Sequence, residues 1–305
     1  MTRREAVRLL SLVSAGVWLR RAYASVSYVI APTAWDAAKA EAAPALAPGA
    51  PLSSERLALI EAFRKQSEGL EKKYEARTHK SDWVMPYRLF RPEATGRVPL
   101  VVYLHGSGGL GDDNLKQLGL GNVFGTRVWL LSGNQKRFPC YVAVPQTDRG
   151  WARYDLSQQS AGPSKVLPGL GEGSRLALEM IDSLCREFPQ SIDDRRIYVT
   201  GQSMGGAGVW NMMTYRPRFF AAAVPICGSI STEDGAGSLE TPLWNFHGDS
   251  DKTVPVSVSR DRIAARRKAG GRALYTEYPG VDHNAWEWAF TEPALLQWMF
   301  AQRRG

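Results

Sequence analysis

Cysteine and histidine are scarce in this chain, with three of the first and four of the second among 305 residues. Cys140, Cys185 and Cys227 form no C-x-x-C pair and no Cys/His metal spacing, which argues against a structural zinc site. One disulfide is compatible with an oxidising compartment, but three is an odd number and the spacing selects no pair. Charge of one sign is in short supply too. The formal net charge is +8, but Arg3, Arg4, Arg8, Arg20 and Arg21 against Glu5 place +4 of it in residues 1–24, leaving +4 for the rest. No basic stripe interleaved with aromatics is present, so a nucleic-acid partner is not expected. Arg266, Arg267 and Lys268 form the tightest basic cluster and read as a solvated helix end. Long apolar runs are missing as well. The stretch from Ala6 to Leu19 falls short of the roughly 20 residues that span a bilayer.

What is present suits one large α/β domain: 44% apolar residues and ample length for a core. Met1–Ala24 has the form of an export signal. Paired arginines precede a moderately apolar stretch, and Ala22-Tyr23-Ala24 supplies the small residues of a cleavage site. Arg3-Arg4 resembles the twin-arginine kind. Residues 25–52, rich in alanine and proline, read as a linker, and the folded domain is expected over 53–305. The expected location is therefore outside the cytoplasm, in the periplasm or beyond the cell.

Short apolar runs at 98–104, 141–144, 196–200, 221–226, 243–246 and 273–278 suit strands buried on both faces. A looser alternation over 82–91 suggests an antiparallel strand. Helical periods lie between them, at 53–66, 174–188, 204–215, 257–269 and 293–302. Strands alternating with helices predict a mostly parallel central sheet with helices on both faces, ligands binding beyond the strands' carboxyl ends.

The chemistry-bearing motifs fall at those ends. Gly201-Gln202-Ser203-Met204-Gly205 is a G-x-S-x-G pattern between a predicted strand and a predicted helix. Such a turn must be sharp for the serine oxygen to project into a cleft, and small residues on either side allow it. In this arrangement an acid and then a histidine follow the serine in the chain. His79 and His105 precede Ser203, and His247 lies at a strand end just before the candidate acids, which leaves His283. The acid is Asp251 or Asp249, both in His247-Gly248-Asp249-Ser250-Asp251, with Asp251 favoured and the other expected to brace the loop. Backbone N–H groups of Met204 and of Ser107, in His105-Gly106-Ser107-Gly108-Gly109, are the candidate oxyanion donors. That loop lacks the G-K-[ST] ending of a phosphate cradle, so nucleotide binding is not expected. Trp151, Trp286 and Gln202 are candidate substrate contacts.

Tyr103–Gly109, Val144-Pro145-Gln146 with Trp151, Gly201–Gly206, His247–Asp251 and His283-Asn284-Ala285-Trp286 together resemble the α/β-hydrolase superfamily. Within it the chain is similar to secreted carboxylesterases, sometimes labelled predicted peptidases, and to polyhydroxybutyrate depolymerases, feruloyl esterases and phospholipase/carboxylesterases. The resemblance covers roughly residues 80–303. It implies Asp251 as the acid, four residues after His247, and Ser107 as the second oxyanion donor. It also implies hydrolysis of carboxylic esters through an acyl-enzyme on Ser203, with small-molecule or polysaccharide-linked esters as substrates and with no metal or organic cofactor. A serine peptidase and a non-catalytic binding module on the same fold are the alternatives.

Overall fold

The structure is a computed structural model and describes residues 54–155, 165–229 and 238–305. The expected export signal and linker, 1–52, lie outside the described residues.

The main sheet has eight strands: β1 (Glu75–Lys80), β2 (Val84–Phe90), β3 (Val98–Leu104), β4 (Tyr141–Pro145), β7 (Ile192–Gln202), β8 (Ala222–Ile226), β9 (Leu243–Gly248) and β10 (Ala273–Tyr278). Their order is β1-β2-β4-β3-β7-β8-β9-β10. From β4 to β10 every neighbouring pair is parallel, while β2 joins β4 antiparallel and β1 closes a hairpin on β2. A separate antiparallel pair, β5 (Ala152–Tyr154) and β6 (Val166–Leu170), precedes the helix leading to β7. This is an α/β-hydrolase sheet, and six parallel strands direct their carboxyl ends to one edge.

Period-2 alternation divides the core. Leu100, Val102 and Leu104 of β3, with Ile197 and Val199 of β7, pack with Leu176, Ile181, Val209, Trp210 and Met213. Those partners come from α4 (Glu172–Glu187) and α5 (Met204–Tyr215). The alternate residues meet an aromatic layer. Tyr103 packs on Phe290, Tyr198 on Phe300, and Trp244 on both Phe246 and Trp298. Phe290, Trp298 and Phe300 belong to α7 (Ala285–Phe290) and α8 (Leu295–Phe300). Near-continuous apolar strands follow from cover on both faces. Between α5 and α7 lies α6 (Ser257–Lys268), and before β4 lie α1 (Ser54–Gln66), α2 (Val123–Arg127) and α3 (Ser132–Arg137).

Three features depart from the sequence pattern. β1 lacks an apolar alternation, because its residues are mostly exposed and half of them charged, and pairing with β2 rather than an apolar face makes it a strand. The β5–β6 hairpin has no clear signal in the sequence either, since Val-Leu-Pro-Gly-Leu carries a proline and a glycine. Arg266 is no solvated helix end. It is fully buried, and its guanidinium donates to the carbonyls of Thr241 and Leu239 at 2.6 and 3.3 Å.

Candidate active site

At the carboxyl end of β7 the chain turns directly into α5, with Ser203 between them at φ 53° and ψ −120°. A side-chain-bearing residue holds that conformation at a cost on the order of 1–3 kcal/mol. Its neighbours make the turn sterically accessible. A β-carbon on Gly201 would lie 2.6 Å from the Gly205 carbonyl oxygen, and one on Gly205 would overlap the Leu104 carbonyl. The Ser203 N–H donates to Ile226 O at 2.9 Å, tying the turn to β8. Met204 opens the helix, where a backbone N–H has no intrahelical acceptor.

His283 lies on the loop after β10, with Nε2 2.7 Å from Ser203 Oγ and Nδ1 2.8 Å from Asp251 Oδ2. Asp251 lies on the loop after β9, where its Oδ1 accepts from the N–H groups of Thr253 and Val254, both at 2.8 Å. His247 also reaches this carboxylate, with Nε2 3.2 Å from Oδ2. Burial opposes the Asp251 charge. Hydrogen bonds from His247, His283 and Val254 N–H outweigh it and hold the carboxyl well below the usual carboxylate range. Asp249 turns elsewhere, its Oδ1 accepting from Gly280 N–H at 2.7 Å and Ser250 Oγ at 2.8 Å. Asp282 accepts from the N–H groups of His283 and Lys252.

His247 is more deeply engaged than its place at a strand end suggested. Its Nε2 is 3.0 Å from Val254 O, which can only accept, so Nε2 carries the proton. Its Nδ1 meets Ser259 Oγ at 2.7 Å, and that hydroxyl accepts from Asn245 Nδ2 at 2.9 Å. Asn245, Ser259 and His247 are all buried, so the string runs inward from the carboxylate. The signal was available in part, because Asn245, His247 and Val254 flank the acid within a few residues.

The loop after β3 packs on the same turn. A β-carbon at Gly106 would lie 3.5 Å from Gln202 O, and Ser107 begins a short 3-10 turn with its side chain exposed. Glycines 106, 108 and 111 do fall at G-x-G-x-x-G spacing, but they enter this three-residue turn and not a helix that could seat a pyrophosphate. His105 anchors the loop from below. Its Nδ1 donates to Gly106 O at 2.8 Å, and its Nε2 accepts from Thr147 N–H at 3.2 Å. Burial lowers the His105 pKa to about 4.

The candidate substrate contacts separate. Trp286 is partly exposed and stands perpendicular to the His283 ring at 5.4 Å. Trp151 is fully buried, donates its indole N–H to His105 O at 2.9 Å, and packs closely beside Gly208. It is a packing residue beneath the loop and not a wall of the cleft. Gln202 is also buried. Its Oε1 accepts from Tyr103 OH at 2.7 Å and its Nε2 donates to Gly121 O at 2.9 Å, so its amide serves the scaffold.

All three cysteines are free. Cys227, at φ 40°, lies under the site with Sγ 3.5 Å from His283 O, and burial pushes its thiol far up. With Asp251 and His283 it forms a group whose donor atoms lie within 4.8 Å of one another. The imidazole and carboxylate of that group are already hydrogen-bonded to each other, so the donor set fits a proton-transfer string better than a metal.

No family model matches the chain. Among curated proteins it is 26% identical over 194 residues to a probable carboxylesterase SOBER1-like of Arabidopsis thaliana, covering 60% of this chain and 72% of that protein. It is 26% identical over 214 residues to poly(3-hydroxyalkanoate) depolymerase C of Paucimonas lemoignei, covering 60% of this chain and 46% of that one. A thermostable esterase structure is 32% identical with a TM-score of 0.68, over 77% of this chain and 64% of that one. An acylaminoacyl peptidase structure shares the fold at 15% identity and a TM-score of 0.53, over 76% of this chain and 42% of that one.

Proposed function

The chain belongs to the α/β-hydrolase esterase and peptidase group, and we propose that it hydrolyses carboxylic esters through an acyl-enzyme on Ser203. The observation that carries this reading is the unbroken string from Asp251 Oδ2 through His283 to Ser203 Oγ, ending on a strained serine. In the proposed first step Ser203 Oγ attacks the ester carbonyl carbon while His283 Nε2 takes its proton. Asp251 orients the imidazole and stabilises its charged form. Negative charge on the carbonyl oxygen is met by the N–H groups of Met204 and Ser107. Collapse expels the alcohol, which receives the proton from His283. Water then attacks the acyl carbon by the same route, releasing the acid and restoring Ser203.

An aryl-ester assay on wild type and Ser203→Ala tests this, together with labelling by a fluorophosphonate probe. Hydrolysis and labelling should both vanish in the variant. Equal rates in the two proteins would refute it, and peptide amides cleaved as fast as esters would favour a peptidase instead.

Export, with cleavage after Ala24 and action in the periplasm or outside the cell, is the location that the sequence of residues 1–24 supports. Among the described residues no helix is long and apolar enough to cross a membrane. Mass spectrometry of the mature N-terminus checks this, and intact Met1–Ala24 on cytosolic protein would contradict it. An exported esterase meets polymers, so side-chain esters of polysaccharides join small-molecule esters as proposed substrates. A panel of acetyl, feruloyl, hydroxybutyrate and glucuronoyl esters would rank them.

A further inference from the structure

Leu120 is the most exposed large apolar side chain among the described residues, at 75%. It is also held at φ 48°, in the left-handed region that penalises a leucine. Glycines stand on both sides of it, at 119 and 121, and neither takes a positive φ. The strain therefore rests on the one residue of the three that has a side chain to present.

The turn that carries Leu120 is clamped from beneath. Asn122 Oδ1 accepts from Gly106 N–H at 3.0 Å and lies 3.1 Å from the Tyr103 hydroxyl, whose proton goes to Gln202. The Gly121 carbonyl accepts from Gln202 Nε2 at 2.9 Å, and Tyr103 OH also meets Gln202 Oε1 at 2.7 Å. Tyr103, Asn122 and Gln202 are all buried. One network thus fixes this turn against the glycine-rich loop on one side and the residue before Ser203 on the other. Leu120 Cδ1 lies 3.5 Å from where a β-carbon of Gly108 would be. The Trp286 ring lies 3.2 Å from the corresponding point on Gly121, and perpendicular to His283.

We propose that Leu120 and Trp286 form the two sides of an apolar slot beside Ser203, which selects esters bearing an uncharged hydrocarbon or aryl group of several carbons. This rests on the reading of Ser203 as the nucleophile. An exposed leucine contributes little to folding, but covered by substrate it adds apolar burial, worth roughly fourfold in affinity per methylene. Strain held by a buried clamp at a functional edge is the pattern expected of a residue kept for binding.

The test uses the full chain and two ester series, p-nitrophenyl acyl esters from acetate to octanoate and butyrates from methyl to benzyl. The ratio of kcat/KM for the largest to the smallest member should exceed one in wild type in at least one series. Leu120→Ser and Trp286→Ala should each shrink that ratio by roughly tenfold in the same series. Which series responds assigns the slot to the acyl or the alcohol side. Leu120→Gly should melt within about two degrees of wild type, because escape from the left-handed penalty offsets the extra freedom that glycine gives the unfolded chain. Ratios unmoved by Leu120→Ser in both series would overturn the slot, as would a Leu120→Gly protein melting several degrees lower. A wild type with no Ser203-dependent hydrolysis in either series would defeat the ester-hydrolase reading itself, and the slot with it.

Discussion

His283 and His247 share one oxygen of one carboxylate, Asp251 Oδ2, at 2.8 and 3.2 Å. On the His283 side the ring is partly exposed, with its far nitrogen on Ser203 Oγ. On the His247 side nothing is exposed, and the ring's other partners are Val254 O and Ser259 Oγ. The same residue type therefore does two jobs. An imidazole with a free approach to its outer nitrogen can pass a proton to a substrate. One whose nitrogens are both engaged inside the fold can only orient and support what it touches. His105, buried between Gly106 O and Thr147 N–H, belongs with the second kind.

The comparison breaks most visibly on the open side. Ser203→Ala and His283→Ala should each cut kcat by about five to six orders of magnitude, measured on an aryl ester with fold checked by circular dichroism. Asp251→Asn should cut it by about four orders, because the amide can favour the wrong imidazole tautomer. Asp249→Asn, whose carboxylate meets Gly280 and Ser250, should change kcat by less than about tenfold. A reversal of the two aspartates would move the acid to Asp249.

On the sealed side smaller effects are expected, and of a different kind. His247→Ala removes a donor from Asp251 and leaves a buried gap, for a stability loss on the order of 2–4 kcal/mol by denaturant titration. A carboxylate with fewer donors is held less firmly and orients the His283 ring less well, so kcat should fall by about tenfold. A His247→Ala protein as inactive as His283→Ala would erase the distinction between the two sides.

The last expected effect concerns His105 and pH. Its folded pKa of about 4 lies below the ordinary histidine value near 6.5, so the unfolded chain takes up the proton first as pH falls. The stability tied to its burial is fully present above about pH 6.5 and is lost between there and about 4, on the order of 3 kcal/mol. The depressed Asp251 carboxyl adds a loss of the same sign at still lower pH, below the usual carboxylate range. Melting temperatures from pH 8 to 4 should show the first decline. A flat profile across that window would mean that His105 is not sealed.

Much of this was legible from local pattern. The short apolar runs became β3, β4, β8, β9 and β10 within a residue or two, because a strand covered on both faces needs an apolar residue at every position. The helix from Met204 to Tyr215 follows the expected span closely, its limits marked by a glycine-rich turn and by Pro217. Trp151 and Gln202 were misread for a common reason. Trp151 follows β4 and Gln202 ends β7, beside the edge where ligands bind, but the partner that draws each inward is far off in the chain: His105 O for one, Tyr103 and Gly121 for the other. Sequence order places a residue near the cleft without deciding which way its side chain turns.

The sequence by itself determined the parallel sheet, the sharp turn at Ser203 and the short roster of candidate partners. These depend on side-chain period, on glycines that let backbones meet, and on there being only four histidines. Only the tertiary structure decided that Asp251 rather than Asp249 faces His283, that His247 backs the same carboxylate, and that Leu120 stands in solvent while Trp151 is buried. Those outcomes depend on contacts between segments from four to 46 residues apart. Burial and hydrogen bonding across such distances are settled when the layers pack, and neighbouring residues alone carry no record of them.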